Sequence, residues 1–315
     1  MKAIRVSQFG APSVLEYTDV PALAPGPGQV LVRLHAAGVN PVDTYIRSGK
    51  YARLPVLPFT PGIDGAGVVE QSNVPDFPLG TRVYLAGSMT GTYAEQALCT
   101  PDQVFPLPSN VSFEQGASLG VPYGTATWAL FYRGLARSGE TLLVHGASGG
   151  VGLAAVQLAR SAGLRVFGTA GTPEGLDLVR AQGAEAAFNH RDPDYLGQLK
   201  TATEGRGFDI ILDMLANQNL ANDLTLLAVN GRVVVVGSRG PIEIDPRNIM
   251  SRNADIRGVM LAGAPPAEIY PRITAGLEDR SLNPVIGQTF PLPDASKAHD
   301  QIMTASAHGK IVFTM

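Results

Sequence analysis

The chain has 315 residues, 45% hydrophobic and 16% charged, which is enough apolar material for two domains with a large buried core. A formal net charge of −3 provides no electrostatic footprint for nucleic acid, and a single cysteine, Cys99, excludes both an intramolecular disulfide and a cysteine-rich metal cage. The sequence has no unbroken apolar run of about eighteen residues, so no membrane span is expected. The N-terminus alternates like a strand and lacks the layout of a signal peptide, which leads us to expect a cytoplasmic protein.

Residues 1–115 read as a β-rich domain, antiparallel or barrel-like. Segments 2–6, 29–39, 62–70, 82–85 and 92–98 have strand propensity and are separated by Pro/Gly punctuation such as Ala24-Pro25-Gly26-Pro27-Gly28. His35 lies inside one of these alternating strands, which suits a packed or rim histidine better than a ligand. Directly after that strand comes a polar cluster in which Asn40, Asp43, Tyr45 and Tyr51 place an amide, a carboxylate and two phenols together. It reads either as a contact loop on a rigid sheet or as a helix-capping turn with Asp43 at the helix start and Tyr45 packed inward.

From 116 to 258 the texture changes. A helix over 121–136 leads into the stretch TLLVHGASGGVGLAAVQLAR at 141–160, which predicts a strand, a tight turn and a helix. Gly146, Gly149, Gly150 and Gly152 stand where the strand would feed the helix. Backbone N–H groups at the helix start could there approach a pyrophosphate. The match to G-x-G-x-x-G is imperfect, since Ala147 occupies the first glycine position. His145, just before the turn, fills the strand end. Strands at 165–169, 185–189, 208–213 and 231–237 then alternate with helices at 173–182, 194–203 and 218–229. This is the pattern of a parallel sheet covered on both faces, a doubly wound nucleotide-binding domain.

A ligand of such a sheet lies beyond the carboxyl ends of its strands. The second strand ends on Gly168-Thr169-Ala170-Gly171-Thr172, with no Asp or Glu for a ribose 2′-hydroxyl. Room remains for a 2′-phosphate. His190 and Arg191, after the third strand, are candidate positive donors to it, the alternative for His190 being a surface histidine. Glu174 follows Pro173 and belongs in a helical first turn, so NADP is favoured over NAD. Val236, Gly237, Ser238 and Arg239 close the fifth strand on the expected nicotinamide side, and Asn217 and Asn219 are amide donors or helix caps there. The remainder, 259–315, carries two helices and a final strand at 310–313 suited to pairing back into the first domain.

Absences narrow the chemistry. No tyrosine has a lysine four residues on, against a short-chain dehydrogenase dyad, and neither H-E-x-x-H nor paired Cys and His at zinc spacing occurs, so no metal site is expected.

The blocks VNPVDTYIRSGKY, LPFTPGIDGAGVVE, VHGASGGVGLAA, GTAGTPEG, FNHR, MLAN and GRVVVVGSRG, in this order, closely resemble the zeta-crystallin-type NADPH:quinone oxidoreductases of the medium-chain dehydrogenase/reductase superfamily. The resemblance covers essentially the whole chain. It implies an α/β fold, with a GroES-like catalytic domain, a Rossmann domain inserted after it and a C-terminal return. It further implies NADPH as cofactor, contacted by Tyr45, Ser148, Gly149, Gly150, Val151, Gly171, His190, Asn219, Val236, Gly237, Ser238 and Arg239. The backbone of Val259, Met260 and Leu261 would line the nicotinamide.

Zinc-dependent members of the superfamily carry a cysteine where Asn40 stands and a histidine where Ile63 stands, and the four-cysteine lobe is missing here. The resemblance turns Asn40, Asp43, Tyr45 and Tyr51 from packing residues into pocket lining. It also implies edge-to-edge association into a homodimer or homotetramer through a last strand at 255–260. The chain departs from the family in its shorter loop at 71–80, in Thr81, and in Gly124 and Thr127, where relatives carry bulky aromatics. If that segment borders the pocket, the pocket is wider.

The expected chemistry is metal-free reduction of a quinone by NADPH, as a hydride or as two single electrons. Asn40 and Tyr45 would make the polar contacts, Tyr51 stack or gate, and Asp43 hold the loop. Reduction of an α,β-unsaturated aldehyde or ketone needs the same parts. Two roles of another class are NADPH-binding structural protein and RNA binder, the latter opposed by the negative charge and the absence of a basic stripe.

Overall fold

In the strand Val30–Val39 the side chains of Arg33 and His35 alternate outward between buried neighbours, and Ala36 to Val39 are then buried without interruption because both faces of the sheet are covered there. His35 stacks on Phe113 with ring centroids 4.4 Å apart, a rim position. This strand is the centre of one of two units. The computed structural model describes residues 1–304 and 307–315. Met1–Gly124 with Pro265–Met315 form the first unit and Thr125–Ala264 the second. The chain thus changes unit after Gly124 and Ala264, where the change of texture in the sequence puts the boundaries at 115 and 258.

The first unit holds a seven-stranded sheet that runs Ile286–Pro291, Lys310–Thr314, Val30–Val39, Asp64–Ser72, Arg82–Ala86, Val104–Pro106, with Gln96–Cys99 also on Val30–Val39. All neighbours are antiparallel except the first pair. The C-terminal strand zips onto the far half of the central one, Ile311 opposite Val39 and Thr314 opposite Ala36. A two-stranded ribbon, Lys2–Arg5 with Glu16–Asp19, lies beside it. Ile4, Val6, Ala37, Val39, Tyr93, Ile311 and Phe313 share one buried cluster, so residues from both ends of the sequence close the same core.

The second unit is a six-stranded parallel sheet. Its order is Ala186–Asn189, Arg165–Ala170, Thr141–Val144, Phe208–Asp213, Leu227–Val235, Asp255–Gly258. Counted in chain order this is third, second, first, fourth, fifth, sixth, the doubly wound arrangement that binds a dinucleotide where the order reverses. Thr141–Val144 is buried at every position, and the helix Gly150–Ser161 is buried from Gly152 to Ala159, as central elements must be.

Local differences from expectation have local causes. The helix over 121–136 is interrupted: Gly120–Thr127 is α-helical and Trp128–Arg133 is wound more widely, with Gly134 N donating to Ala129 O. The turn after it needs a left-handed residue, Leu135, at φ 51°. In the segment 92–98 the strand proper is Gln96–Cys99, while the Thr92 and Tyr93 amides donate to Pro61 O and Ala94 forms a single bridge to Ala3. The strand at 231–237 is displaced to Leu227–Val235. Glu16–Asp19, Val104–Pro106 and Ile286–Pro291 were not expected as strands; the first and last expose alternate or most residues and carry little apolar signal.

Candidate cofactor and acceptor sites

In the second unit the chain leaves Val144 and turns through Gly146, whose φ of 62° is left-handed, to Gly149, the extended residue that begins the helix Gly150–Ser161. Ser148 and Val151 flank this turn, half-buried. A Cβ on Gly152 would lie 2.5 Å from Gly146 O and 2.6 Å from Ala147 Cα, so only glycine lets the helix start press against the turn. The amides of Gly150, Val151 and Gly152 have no acceptor within the helix, and the positive end of the helix dipole faces outward with them. Such a helix start can hold a phosphate. Thr169, on the neighbouring strand, braces the turn by accepting the Gly146 amide at 3.3 Å.

The end of the second strand carries its own recognition chemistry. A Cβ on Gly171 would come within 2.8 Å of His190 Nε2 and 3.1 Å of Arg191 Nε, so this glycine keeps open the space in front of two basic side chains. Partial desolvation, with the charges of His145 and Arg191, holds the His190 imidazole below its ordinary value. Thr172 caps the next helix by accepting the Gly175 amide, which puts Glu174 in that helix's first turn, as the sequence suggests.

Beneath the turn, Asp213 ends the fourth strand. Its Oδ1 accepts from the Leu215 amide at 2.8 Å and from Asn219 Nδ2 at 2.9 Å, and its carbonyl accepts from the Val236 and Gly237 amides. Asn219 thus stands within the helix Ala216–Leu226 with its amide oriented by a carboxylate, while the carbonyl of Asn217 accepts from the Arg239 amide at 2.8 Å. Burial and the nearby Asp223 raise Asp213 to about 6. A Cβ on Gly237 would sit 2.7 Å from Met214 O, a close backbone approach. Ser238 is exposed, Val259 donates its amide to Val235 O, Met260 is exposed and Leu261 opens a short 3-10 turn. His145 has a larger part than filling a strand end: Nε2 is 2.8 Å from Asp223 Oδ1 and Nδ1 3.2 Å from Thr169 Oγ1, all buried.

In the first unit the polar cluster is a helix, Pro41–Arg47, rather than a loop. Asn40 is its cap, with the Asn40 amide donating to Asp43 Oδ2 at 2.8 Å. Asn40 and Asp43 are 3% and 2% exposed, and both side chains are engaged within the protein. Asn40 Oδ1 accepts from Lys310 Nζ and Asn40 Nδ2 donates to Asp64 Oδ2 at 2.9 Å. Lys310 also pairs with Asp64 Oδ2 at 2.8 Å, and Asp64 Oδ1 accepts the Val121 amide at 2.6 Å. Tyr45 and Tyr51 are half-buried. Asp43 Oδ2 further accepts from Tyr93 OH at 3.1 Å, and Tyr93 OH is 3.1 Å from His299 Nε2. Burial above all, with Asp64 adding repulsion and the hydrogen bonds opposing, raises the Asp43 carboxyl to about 7.

Lys310, Asp64, Tyr93 and His299 escape a reading of the sequence. Only the charge at the head of the apolar run Lys310-Ile311-Val312-Phe313 hints at one of them. Gly124 and Thr127, which would widen the pocket if their segment bordered it, face packed surroundings: a Cβ on Gly124 would meet Tyr270 OH at 2.7 Å, and Thr127 is fully buried. Among the described residues no group of three or more His, Cys, Asp or Glu is arranged for a metal.

A doubly wound dinucleotide sheet inserted into a β-rich unit with a buried polar cluster defines the dehydrogenase/reductase class. The family described as alcohol dehydrogenase GroES-like domain matches residues 26–109 and that described as zinc-binding dehydrogenase matches 150–275. A quinone oxidoreductase of Sus scrofa is 47% identical over 322 residues, covering 100% of this chain and 98% of the relative. Among solved structures, an NAD-dependent alcohol dehydrogenase superposes with a TM-score of 0.93 at 29% identity, each chain covered in full. An Escherichia coli quinone oxidoreductase complexed with NADPH superposes at 0.90 and 27% identity with the same coverage. The chain belongs to the quinone oxidoreductase family of the medium-chain dehydrogenase/reductase superfamily.

Proposed function

We propose that the chain is an NADPH:quinone reductase that works without a metal. The observation that carries the cofactor choice is Gly171, facing His190 Nε2 and Arg191 Nε at a strand end that lacks a carboxylate. Relatives named quinone oxidoreductase at 47% identity over the full chain, and a structural neighbour complexed with NADPH, support the acceptor and the cofactor. Ser148 to Val151 would hold the pyrophosphate, His190 and Arg191 the 2′-phosphate, and Asn219, Val236 to Arg239 and Val259 to Leu261 the nicotinamide end. NADPH, when bound, supplies the reducing equivalents, as a hydride or as two single electrons.

On the first unit, Tyr45 and Tyr51 are the side chains that would meet cofactor and acceptor, and Asn40 and Asp43 position them from within. The Lys310 ammonium beside Asn40 is a fixed positive charge where metal-dependent members of the superfamily hold a cation, which supports metal-free operation. A quinone is already electron-poor, so orientation, water exclusion and a few hydrogen bonds suffice. The edge strand Asp255–Gly258 supports a homodimer, and the absence of any helix long and apolar enough to cross a membrane among the described residues agrees with a cytoplasmic enzyme.

The test is steady-state oxidation of NADPH and of NADH with 1,4-benzoquinone, 9,10-phenanthrenequinone and a simple enal as separate acceptors. Quinone turnover with NADPH preferred is the expected result. Turnover on the enal alone would move the function to enone reduction, and NADPH binding without turnover on any acceptor would favour a structural role.

A further inference from the structure

Asn219 and Asp223 lie one turn apart on the helix Ala216–Leu226 and so project from the same face. Asn219 Nδ2 donates to Asp213, which ends the fourth strand, and Asp223 Oδ1 is 2.8 Å from His145 Nε2, just past the end of the first. One helix face thus ties together the ends of the two strands between which the sheet order reverses. A dinucleotide crosses such a sheet at that point. We propose that Asp223 and His145 are positioning residues of the cofactor site: acting through Thr169 they fix the Gly146 amide, and with it the pyrophosphate turn, relative to Asn219. The proposal rests on the NADPH reading above.

The hydrogen bonds have a definite polarity. A carboxylate only accepts, so Asp223 requires the proton of neutral His145 on Nε2 and leaves Nδ1 as a lone pair. Nδ1 lies 3.2 Å from Thr169 Oγ1 and takes the hydroxyl proton, which leaves that oxygen to accept the Gly146 amide at 3.3 Å. The chain runs from the amide through Thr169 and His145 to the carboxylate, each donor with an acceptor. Gly146 is the left-handed residue of the turn, and its carbonyl accepts the Gly149 amide at 3.2 Å. Gly152 presses against the same carbonyl, so a change at Gly146 is passed to the helix start that carries the free amides.

Stability does not account for this arrangement. Asp223, His145 and Thr169 are all buried, and the second oxygens of Asp213 and Asp223 are buried without a partner among the described residues. Apolar side chains of the same size would cost less to bury. What the polar chain adds is a single orientation of the imidazole and, through it, of the Thr169 hydroxyl. Burial opposes a proton on Nδ1 while Asp223 and Asp213 favour it, with a net rise in the value of His145. The imidazolium keeps its Nε2 proton on Asp223 and still bonds Thr169 through Nδ1, so the ring stays in place in either state.

The test is made in alkaline buffer, where the ring is neutral. Heteronuclear NMR of the His145 ring should place its proton on Nε2, and a proton on Nδ1 instead overturns the chain whatever the variants do. In fluorescence titration, Thr169→Val and Asp223→Leu should weaken NADPH and NADH by the same factor of about tenfold, because both cofactors carry the pyrophosphate. Asp223→Asn keeps a carbonyl oxygen that accepts from Nε2 and should restore wild-type affinity. Adenosine 2′-phosphate has no pyrophosphate and relies on His190 and Arg191, so its affinity, read by displacement of NADPH, should be the same in all forms. Unchanged dinucleotide affinity in Thr169→Val and Asp223→Leu overturns the positioning role alone. So does loss of adenosine 2′-phosphate in step with NADPH, or an Asp223→Asn as weak as Asp223→Leu. A wild type that binds neither dinucleotide overturns the cofactor reading and the positioning role with it.

Discussion

At the scale of single residues the sharpest consequence concerns the 2′-phosphate. Charge-assisted hydrogen bonds to a phosphate contribute roughly 1.5–3 kcal/mol each, so Arg191→Ala should weaken NADPH about tenfold or more and leave NADH nearly unchanged, as read by fluorescence titration with both cofactors. Gly171→Asp tests the same site from the other side. Its Cβ would stand 2.8 Å from His190 Nε2, so the new carboxylate would pair with the basic residues and shift preference toward NADH. His190 lies below its ordinary value and binds phosphate best as a cation, so NADPH affinity should rise as pH falls through its titration and NADH affinity should rise less. Equal pH slopes for the two cofactors would remove His190 from the site. Tyr45→Phe should lower turnover several-fold without loss of NADPH binding, and unchanged quinone kinetics would take Tyr45 out of the reaction. These residues were legible because each lies in a local motif or at a strand end. Lys310 and Asp64 were not, because their partners are 270 and 246 positions apart in sequence, for Asn40 and Asp64 respectively, and only the closed sheet brings them together.

At the scale of elements the helix Pro41–Arg47 shows how a cap becomes a liability at high pH. Asp43 satisfies the Asn40 amide and the Tyr93 hydroxyl, yet it is buried, and its folded value of about 7 lies above the unfolded 3.8. The folded state therefore binds the proton more tightly. Its contribution is fully present below the unfolded value and is lost as pH rises through the folded one, at most about 4 kcal/mol in all. Asp213, raised to about 6, acts in the same sense over a narrower range. Asp43→Asn keeps an oxygen for both donors and cannot ionise. Urea unfolding should find it close to wild type in acid and more stable than wild type by a few kcal/mol in alkali, and a constant difference at all pH values would refute the assignment.

The glycine turn is the opposite case, an element read correctly from its spacing despite Ala147. Gly152→Val should abolish cofactor binding by forcing the helix off Gly146 and Ala147, with thermal stability lowered as well. The wide turn at Trp128–Arg133 was invisible because apolar periodicity reports a buried face and not the hydrogen-bond spacing behind it.

At the scale of the whole molecule, the alternation of apolar strands and helices was enough to read a parallel sheet, and the strand-like C-terminus was enough to read a return into the first unit. What alternation does not report is the last edge. Among the described residues Asp255–Gly258 pairs with Leu227–Val235 on one side only, and Ile256 on it is 39% exposed. A strand with one free row of N–H and C=O groups and an exposed β-branched residue is a template for another copy, and proteins that keep such an edge unpaired blunt it with charge. Here the flanking charges Asp255 and Arg257 pair with each other, at side-chain nitrogen to oxygen contact, and so present little net repulsion to a second strand. Two copies joined edge to edge would continue the six-stranded sheet into twelve, as a two-fold symmetric dimer. Light scattering should give twice 33.0 kDa for the wild type and 33.0 kDa for Ile256→Asp, with the grip on the pyrophosphate and 2′-phosphate retained in the variant because Ser148 to Val151, His190 and Arg191 follow other strands. If Ile256→Asp keeps the wild-type mass, the association runs through another surface and this edge must be covered in some other way.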